Sequence, residues 1–228
     1  MITEMTLKLS TIPERCCALT AVGLLNDCAE IAAQYVQSNL WPAYIVAVPL
    51  DLSDGDRLAG PWEIAIGFEG VGESVDSQLE RAAGLLQERS VSSVAVQECH
   101  PIAGKFRDQY KTLDQYGFLL RADVPLDRLA DLFVSVQPSL PKYYPFLDFG
   151  NGRVTLGLEM FAMSEWLDVA DRASELGGHA LVEKAPDDFK QEADVFGRDR
   201  SAWGIMHRLK NVLDPQHIFS PGRLPGKV

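Results

Sequence analysis

The chain has 228 residues, of which 46% are hydrophobic and 23% are charged, and its formal net charge is −11. This composition is typical of a globular protein that can bury a substantial core. The acidic balance disfavours nucleic acid and anionic membrane surfaces as partners, because a phosphate backbone attracts clustered lysines and arginines. An anionic substrate would therefore need a local cationic site.

Cysteine usage and the N-terminal sequence suggest a cytoplasmic protein. The four cysteines, at positions 16, 17, 28 and 99, have no paired-cysteine metal spacing, and their low density predicts reduced, mostly buried thiols. The first apolar stretch is interrupted by Pro13, Glu14 and Arg15, which argues against a signal peptide. The longest apolar runs, such as Ala43 to Leu50, are too short to span a bilayer, so we expect no transmembrane segment.

The first half of the chain predicts the order strand, helix, strand, strand, helix, strand. Met5 to Leu9 alternates as a short strand, and apolar residues recur at helical spacing from about Cys16 to Asn39. The segments "AYIVAVPL" and "WEIAIGFEG" predict two strands. They are followed by the amphipathic helix "GESVDSQLERAAGLLQE" and the strand "SVSSVAVQEC".

The second half predicts the same order. "GFLLRADV" is a strand, and Pro125 opens the helix "PLDRLADLFVSV". "KYYPFLDFGNGRVTLGLEM" is a hairpin that turns at Gly150-Asn151-Gly152. Ser164 is expected to cap the helix "SEWLDVADRASELGG", and "HALVEKAP" is the last strand. The final helix, "SAWGIMHRLKNVL", ends at Asp214-Pro215 because the residue before a proline avoids helical geometry.

These repeated patterns predict an α+β fold. We expect two ferredoxin-like halves that form one mostly antiparallel sheet, with helices packed on one face and an irregular C-terminal tail. No change of composition marks a linker, so residues 1–228 are interpreted as a single domain, in which "LSDGDRLAGP" (52–61) is a surface loop.

The sequence lacks the common motifs for cofactors and catalysis. It contains no GxGxxG after a strand, no Walker loop, no GxSxG and no HExxH. The four histidines, at positions 100, 179, 207 and 217, have no ligand spacing, and each is interpreted as a hydrogen-bonded structural residue. We therefore predict no metal site, and the catalytic residues stay unknown.

The segment "LDPQHIFSPGR" (213–223) is irregular, because it contains two prolines and a glycine, yet it carries large apolar side chains. Residue chemistry alone favours the interpretation that Ile218 and Phe219 pack back on the domain while Arg223 is solvated. The alternative is a rigid arm that presents one planar cation to an anionic group, such as a carboxylate or a reduced flavin.

The tail also resembles a known family. "LKNVLDPQHIFSPGRL" (209–224) is similar to the C-terminal signature of the flavin-linked oxidases of the vanillyl-alcohol oxidase and glycolate oxidase group. "GGHALVEKAP" (177–186) and "DVFG" (194–197) are similar to the cap domain of the FAD-binding glycolate oxidase subunit, and "MTLKLSTIPE" (5–14) resembles the entry into that cap. The resemblance covers nearly the whole chain and is most specific at the tail.

The resemblance implies a role beside FAD. It identifies Arg223, Ser220 and Gly222 as cofactor-binding residues, and residues 214–228 as a tail that docks on the flavin domain. The family often has Asn where Ser220 stands, and its N-terminal FAD-binding domain has no counterpart in this sequence. The chain is therefore expected to complete a site on an FAD-binding-domain subunit, with an iron–sulfur electron-transfer subunit as a further partner.

Four residues are candidate contacts for a small-molecule substrate: Arg153, Asn151, Arg121 and Tyr144. Arg153 and Asn151 could equally close the hairpin turn, Arg121 could face solvent, and one of two consecutive tyrosines normally enters the core. Relatives that use a metal carry a His-x-His run near this turn, but the corresponding stretch "LDFGNGRVTLG" (147–157) contains no histidine.

The resulting functional prediction is a cap subunit of a heteromeric, FAD-dependent oxidoreductase that oxidises a hydroxy acid or an alcohol, as glycolate oxidase does. Two alternatives stay open. The chain could be a non-catalytic assembly subunit of such a complex, or a free-standing ferredoxin-like domain that binds a small ligand.

Overall fold

The structure is a computed structural model of the chain. It describes residues 12–50, 60–87, 91–140, 142–197, 203–222 and 224–225, without the side chains of residues 87, 93, 99 and 100. The predicted strand at Met5 to Leu9 and the loop at 52–59 lie outside the described residues, and so does Arg223.

Eight strands and seven helices are present in the described part of the chain, together with short 3-10 turns at 113–115, 126–128 and 137–139. The strands are β1 (Arg15–Gly23), β2 (Tyr44–Pro49), β3 (Trp62–Gly70), β4 (Ser92–Glu98), β5 (Phe118–Asp123), β6 (Tyr143–Asp148), β7 (Arg153–Leu158) and β8 (His179–Lys184). The helices are α1 (Leu25–Gln37), α2 (Gly72–Gln87), α3 (Cys99–Thr112), α4 (Leu129–Val136), α5 (Met163–Glu175), α6 (Asp187–Glu192) and α7 (Trp203–Leu213).

The strands form one sheet in the order β4-β1-β3-β2-β6-β7-β5-β8, and each pairing is antiparallel. The first four strands and the last four have the same relative order, read from opposite edges of the sheet. The two halves join where β2 pairs with β6, at Val46 opposite Asp148. The predicted fold class of two ferredoxin-like halves in one antiparallel sheet is confirmed.

The main core lies between one face of the sheet and helices α1, α2, α4 and α5. Trp62 from β3 packs edge-on against Phe133 from α4, with ring centroids 5.5 Å apart. Trp166 from α5 is fully buried, and its indole nitrogen donates a hydrogen bond to the Asp194 carbonyl at 3.2 Å. Apolar burial on this scale is the dominant stabilising term for a domain of this size.

The prediction of helix from about Cys16 was wrong, because residues 15–23 form strand β1 and the helix begins only at Leu25. β1 pairs with β3 on one side and β4 on the other, and its central residues are buried on both faces of the sheet. Such a strand has a continuous apolar run instead of alternation, and periodicity alone cannot distinguish it from a helix.

Helix α3 was not predicted, and it packs on the sheet face opposite the main core. Its Ile102 and Phe106 are buried in a second apolar cluster with residues of β1, β2 and β3. Lys105 of α3 forms an ion pair with Glu63 of β3, a carboxylate residue that is only 9% exposed. The pair neutralises a charge that would be costly to bury alone.

Two local predictions also needed correction. Helix α5 begins at Met163 instead of after Ser164, and the Glu165 carboxylate accepts a hydrogen bond from the Ala162 backbone N–H at 2.6 Å. Cys16 is disulfide-bonded, whereas Cys17 and Cys28 are free and buried, so the prediction of reduced thiols holds for only part of the set. The predicted hairpin is confirmed as β6 and β7.

A helix that crosses a bilayer needs about 20 consecutive, predominantly apolar residues. Among the described residues, no helix is both long enough and apolar enough to cross a membrane.

Candidate functional site

The second half of the sheet carries a row of charged side chains on the face opposite the main core. Asp148, Arg153, Asp123 and His179 are opposite one another on the adjacent strands β6, β7, β5 and β8. Residues that alternate with them, such as Ala122 and Val154, belong to the main core. Because strand side chains point to alternate faces, this register brings all four charged or ionisable groups to one surface.

Asp123 is the centre of this charged surface. Its carboxylate accepts hydrogen bonds from Arg121 Nε and Arg153 Nε, both at 2.7 Å, and His179 Nε2 lies 3.6 Å from it. Arg121 also donates to Glu183 at 3.2 Å. We call Arg121, Asp123, Arg153, His179 and Glu183 the ionic surface. Each of these side chains keeps some contact with solvent.

The neighbouring arginines keep the Asp123 carboxylate charged. Partial burial raises the pKa of the Asp123 carboxyl, but hydrogen bonds from Arg153 and Arg121, and their positive charges, outweigh it and lower the pKa below its ordinary value. The ionised carboxylate in turn orients the two arginines, because the Nε–H group of each guanidinium donates a hydrogen bond to it.

Next to the ionic surface, a cleft of about 390 Å³ lies between helix α3 and the sheet. Four residues of α3 form one wall: Ala103, Phe106, Arg107 and Tyr110. Six residues of β2, β6 and β7 form the rest: Tyr44, Val46, Phe146, Asp148, Arg153 and Thr155. Phe146 contacts both Phe106 and Tyr110 edge to face, with centroids 6.4 and 5.2 Å apart. The cleft therefore has aromatic walls and charged groups.

Thr155 is the one cleft residue with a buried polar atom that lacks a hydrogen-bond partner among the described residues. The residue is 1% exposed. A buried hydroxyl without a partner costs free energy, and such groups are rare unless a water or a ligand satisfies them. This hydroxyl indicates a position where a bound molecule would gain a hydrogen bond.

Tyr44 lines the cleft as a neutral side chain. Burial, together with the charge of Glu69, raises the pKa of the Tyr44 hydroxyl to about 12. Its ring lies directly over Gly67 of β3, where a Cβ atom would approach the Tyr44 Cε1 atom to 2.1 Å. A glycine is required at position 67 because the aromatic ring occupies the space of a side chain.

The predicted substrate residues lie close together but in different roles. Arg153 lines the cleft, and Arg121 belongs to the ionic surface beside it. Tyr144 is buried in the second apolar cluster, 6.2 Å from the Tyr116 ring. Asn151 closes the hairpin turn, since its backbone and side-chain nitrogens both donate to the Asp148 carboxylate.

The C-terminal tail has a defined structure that centres on Asp214. The Asp214 carboxylate accepts hydrogen bonds from the backbone N–H groups of Ile218 and Phe219, at 3.0 and 2.9 Å, and from Lys210 at 2.5 Å. The hydrogen bond from Lys210, followed by those from the backbone, lowers the pKa of Asp214 to about 2 although burial opposes the shift. The tail is thus held in one conformation by a charged group.

The predicted cofactor residues lie on this tail. Ser220 and Gly222 have left-handed backbone, with φ of 47° and 70°, and both are exposed. Serine adopts this conformation less readily than asparagine or glycine. Arg223, the third predicted residue, lies outside the described residues.

Ile218 and Phe219 do not pack back on the domain, so that expectation was wrong. They are 63% and 69% exposed. Helix α7, which precedes them, has no extensive packing with the sheet or its helices among the described residues. Five of its residues add to the exposed apolar area: Ile205, Met206, Leu209, Val212 and Leu213. We call these seven residues the C-terminal apolar surface.

Sequence reasoning missed several residues of the candidate site. Asp123 and Thr155 gave no motif, although each alternates with core residues on its strand and could have been placed on the second face once the register was known. Phe106 and Tyr110 were missed because α3 itself was missed. Among the described residues, no group of three or more His, Cys, Asp or Glu side chains could hold a metal ion.

Comparison with known proteins gives similarity of fold. No protein-family model matches the sequence, and no curated protein matches it in sequence. Two crystal structures of alkyldihydroxyacetonephosphate synthase match with TM-scores of 0.60 and 0.59 at 14% and 12% identity, each over 90% of this chain and 44% of that protein. p-Cresol methylhydroxylase with substrate bound matches with a TM-score of 0.57 at 15% identity, over 92% of this chain and 53% of that protein.

Both proteins belong to the group of FAD-linked oxidases, so this chain has a fold found in that group. The match extends over nearly the whole chain, yet the chain spans only about half the length of these proteins. At 15% identity or less the comparison establishes the architecture, and function must be argued from the site.

Proposed function

We propose that this chain is the cap, or substrate, domain of an FAD-dependent oxidoreductase that oxidises a hydroxy acid or an alcohol. In this proposal the flavin is bound mainly by a separate subunit, and this chain completes the active site. The observation that carries the proposal is the fold match, which spans 90% or more of this chain but about half of two FAD-linked oxidases.

The sheet face opposite the main core supports this assignment. It combines a partly exposed set of paired charges with a cleft that contains an unsatisfied buried hydroxyl, at Thr155. A cleft of about 390 Å³ is near the small end of the range for ligand pockets, so it suits a substrate better than a whole dinucleotide. Bound FAD would supply the two-electron acceptor that an alcohol oxidation needs.

The residues of this chain would bind and orient the substrate. Arg153 is held by Asp123 at the cleft, where it can pair with a carboxylate or a developing negative charge. Arg121, held by Asp123 and Glu183, adds positive charge beside it. Preorganised charges of this kind need little rearrangement during reaction, which makes them effective in catalysis.

The tail would attach the domain to its flavin-binding partner. The C-terminal apolar surface is exposed, and Asp214 holds two of its residues through hydrogen bonds, as expected of a surface that another protein covers. Residues 214–228 would dock on the flavin domain, with Ser220, Gly222 and Arg223 nearest the cofactor. Electrons would then pass to an iron–sulfur subunit of the same complex.

Isolation of the assembled complex tests the proposal. The tagged chain is purified from its native source under mild conditions, and the product is examined for flavin absorbance and for dye reduction with a panel of hydroxy acids and alcohols. We expect a flavoprotein partner and turnover. Ile218→Ser combined with Phe219→Ser should abolish co-purification, while Trp41→Ser, at an exposed tryptophan far from the tail in sequence, should not.

Arg223→Ala then separates the catalytic role from the alternatives. Loss of turnover with an intact complex supports the proposal, and unchanged turnover favours an assembly subunit. Purification of the chain without any flavoprotein would favour a free-standing ligand-binding domain. If the chain alone carried stoichiometric FAD and oxidised a hydroxy acid, the separate flavin subunit would be excluded.

A further inference from the structure

We infer that the cleft between α3 and the sheet selects a carboxylate with an apolar, preferably aromatic, body. The carboxylate would lie at Arg153, a polar atom of the ligand would meet Thr155, and the apolar body would lie between α3 and β6. This inference names the substrate class for the proposed function and rests on it only for the claim that the ligand is a substrate.

The walls of the cleft select the apolar body. Phe106 and Tyr110 of α3 face Phe146 of β6, and Val46 of β2 extends the apolar wall. Aromatic side chains of this kind favour edge-to-face or offset contact with a ring. A two-carbon hydroxy acid such as glycolate would leave these walls uncovered, so it would gain little from them.

The charges of the cleft select the carboxylate. Its lining contains two arginines, Arg107 and Arg153, against one carboxylate, Asp148, and Asp123 balances a further positive charge at Arg153, so the local formal charge is 2 − 2 = 0 in a chain whose net charge is −11. Asp148 already accepts two hydrogen bonds from Asn151. The Arg153 guanidinium is bonded to Asp123 only through Nε among the described residues, so its remaining N–H groups can bind a ligand.

Thr155 is an independent indication that the cleft receives a polar group. Thr155 lines the cleft, and its hydroxyl oxygen is buried without a hydrogen-bond partner among the described residues. Thr20 provides a contrast, because it is a buried threonine on the same sheet face in the first half, and Gln97 donates a hydrogen bond to its hydroxyl at 3.5 Å. Of these two threonine hydroxyls, the one without a protein partner belongs to the residue that lines the cleft.

Calorimetric titration of the full chain with three probes tests the charge and the apolar body separately. Phenylacetate has both features, phenylacetamide lacks the charge and acetate lacks the ring. We expect phenylacetate to bind about tenfold or more tightly than phenylacetamide, since hydrogen bonds to a charged group are the stronger ones. Acetate should bind more weakly still, because it cannot cover the aromatic walls.

A pair of matched variants tests the role of Thr155. Thr155→Val keeps the shape but removes the hydroxyl, and we expect phenylacetate affinity to fall about fivefold while the melting temperature of the free chain stays equal or rises. Thr20→Val should leave affinity unchanged. Ala103→Leu, which adds bulk from the exposed side of α3, should block binding without removing a charge.

Equal affinity for phenylacetate and phenylacetamide would overturn the inference, and so would the absence of binding by phenylacetate. Unchanged affinity of Thr155→Val would overturn the role of that hydroxyl. The titration needs neither flavin nor partner. Selective binding by a chain that joins no flavoprotein would therefore exclude the proposed function and support the inference about the cleft. An active flavoprotein complex without this selectivity would support the proposed function and exclude the inference.

Discussion

The two halves of the sheet share one strand order, but their faces opposite the main core differ. In the first half, helix α3 covers this face, and the residues beneath it are mostly small and apolar, such as Ala18 and Ala65. Glu63, the charged exception, is paired with Lys105 from the covering helix. In the second half the corresponding face carries the ionic surface, and each of its charged side chains keeps some solvent exposure.

This difference indicates how a repeated fold can leave one charged face open. A face that a helix of the same chain covers must be apolar or fully paired, because burying an unpaired charge is costly. A face that is left open can keep a set of charges, and these are available to a ligand or to another protein. The cleft lies where the two kinds of surface meet, with the aromatic residues of α3 on one side and Arg153 on the other.

The largest expected effect comes from removing Phe106, a buried side chain of the helix α3 that covers the first half of the sheet. Phe106→Ala deletes a buried aromatic side chain that joins α3 to the sheet, and we expect the free energy of unfolding to fall by about 3 kcal/mol. Urea denaturation measures this change. Arg107→Ala, one residue along and mostly exposed, should change it by less than about 0.5 kcal/mol. A change in Phe106→Ala as small as that in Arg107→Ala would show that the packing of α3 does not stabilise the sheet.

A smaller, pH-dependent effect on the free energy of unfolding is expected at the ionic surface of the second half. Asp123→Asn removes the carboxylate from Arg121 and Arg153, and we expect a loss of about 1 kcal/mol at neutral pH, since partial exposure screens these pairs. The pKa of Asp123 is lowered in the fold, so its contribution is fully present above the ordinary value of 3.8 and is lost as the pH falls through the lowered pKa.

The difference in stability between wild type and Asp123→Asn should therefore shrink on acidification. Urea denaturation at neutral pH and at acidic pH measures it, with Asp127→Asn, at a mostly exposed carboxylate, as the control. A difference that stays constant with pH would contradict the role assigned to the Asp123 charge.

The smallest expected effect on global stability comes from changes at Asp214 in the C-terminal tail. The tail is exposed to solvent, as the ionic surface is, but it exposes large apolar side chains. The pKa of Asp214 is about 2 against an ordinary 3.8, so its hydrogen bonds to Ile218 and Phe219 should persist above the ordinary value and be lost as the pH falls toward about 2. Amide chemical shifts of these two residues against pH measure the transition.

Asp214→Asn should shift the same two amides at neutral pH and leave the core resonances in place. Asp188→Asn, at an exposed carboxylate that accepts a hydrogen bond from the neighbouring Phe189 backbone, serves as the control. If the tail amides were unchanged in Asp214→Asn, the charged group would not be what holds the tail.

Several parts of the fold followed from local pattern. The hairpin β6–β7 was predicted from its glycine-asparagine-glycine turn. The structure explains why a glycine is needed there, because Gly152 has φ of 64° and a side chain at this position would collide with the Val124 carbonyl. The order of elements from β2 to β4 and from β5 to β8 was predicted from periodicity and from breakers such as Pro125. The start of α1 and the existence of α3 were not, since β1 is buried on both faces and α3 buries few large apolar residues.

The sequence by itself determined the acidic balance, which follows from composition alone. It also predicted the fold class, the hairpin and an irregular C-terminal tail, since these predictions depend on patterns among residues that are close together in the chain. Only the tertiary structure decided that Asp123, Arg153 and Thr155 share a face with the aromatic residues of α3, and that Ile218 and Phe219 stay exposed. These facts depend on strand register and on which surface each helix covers, and both result from contacts between residues far apart in sequence.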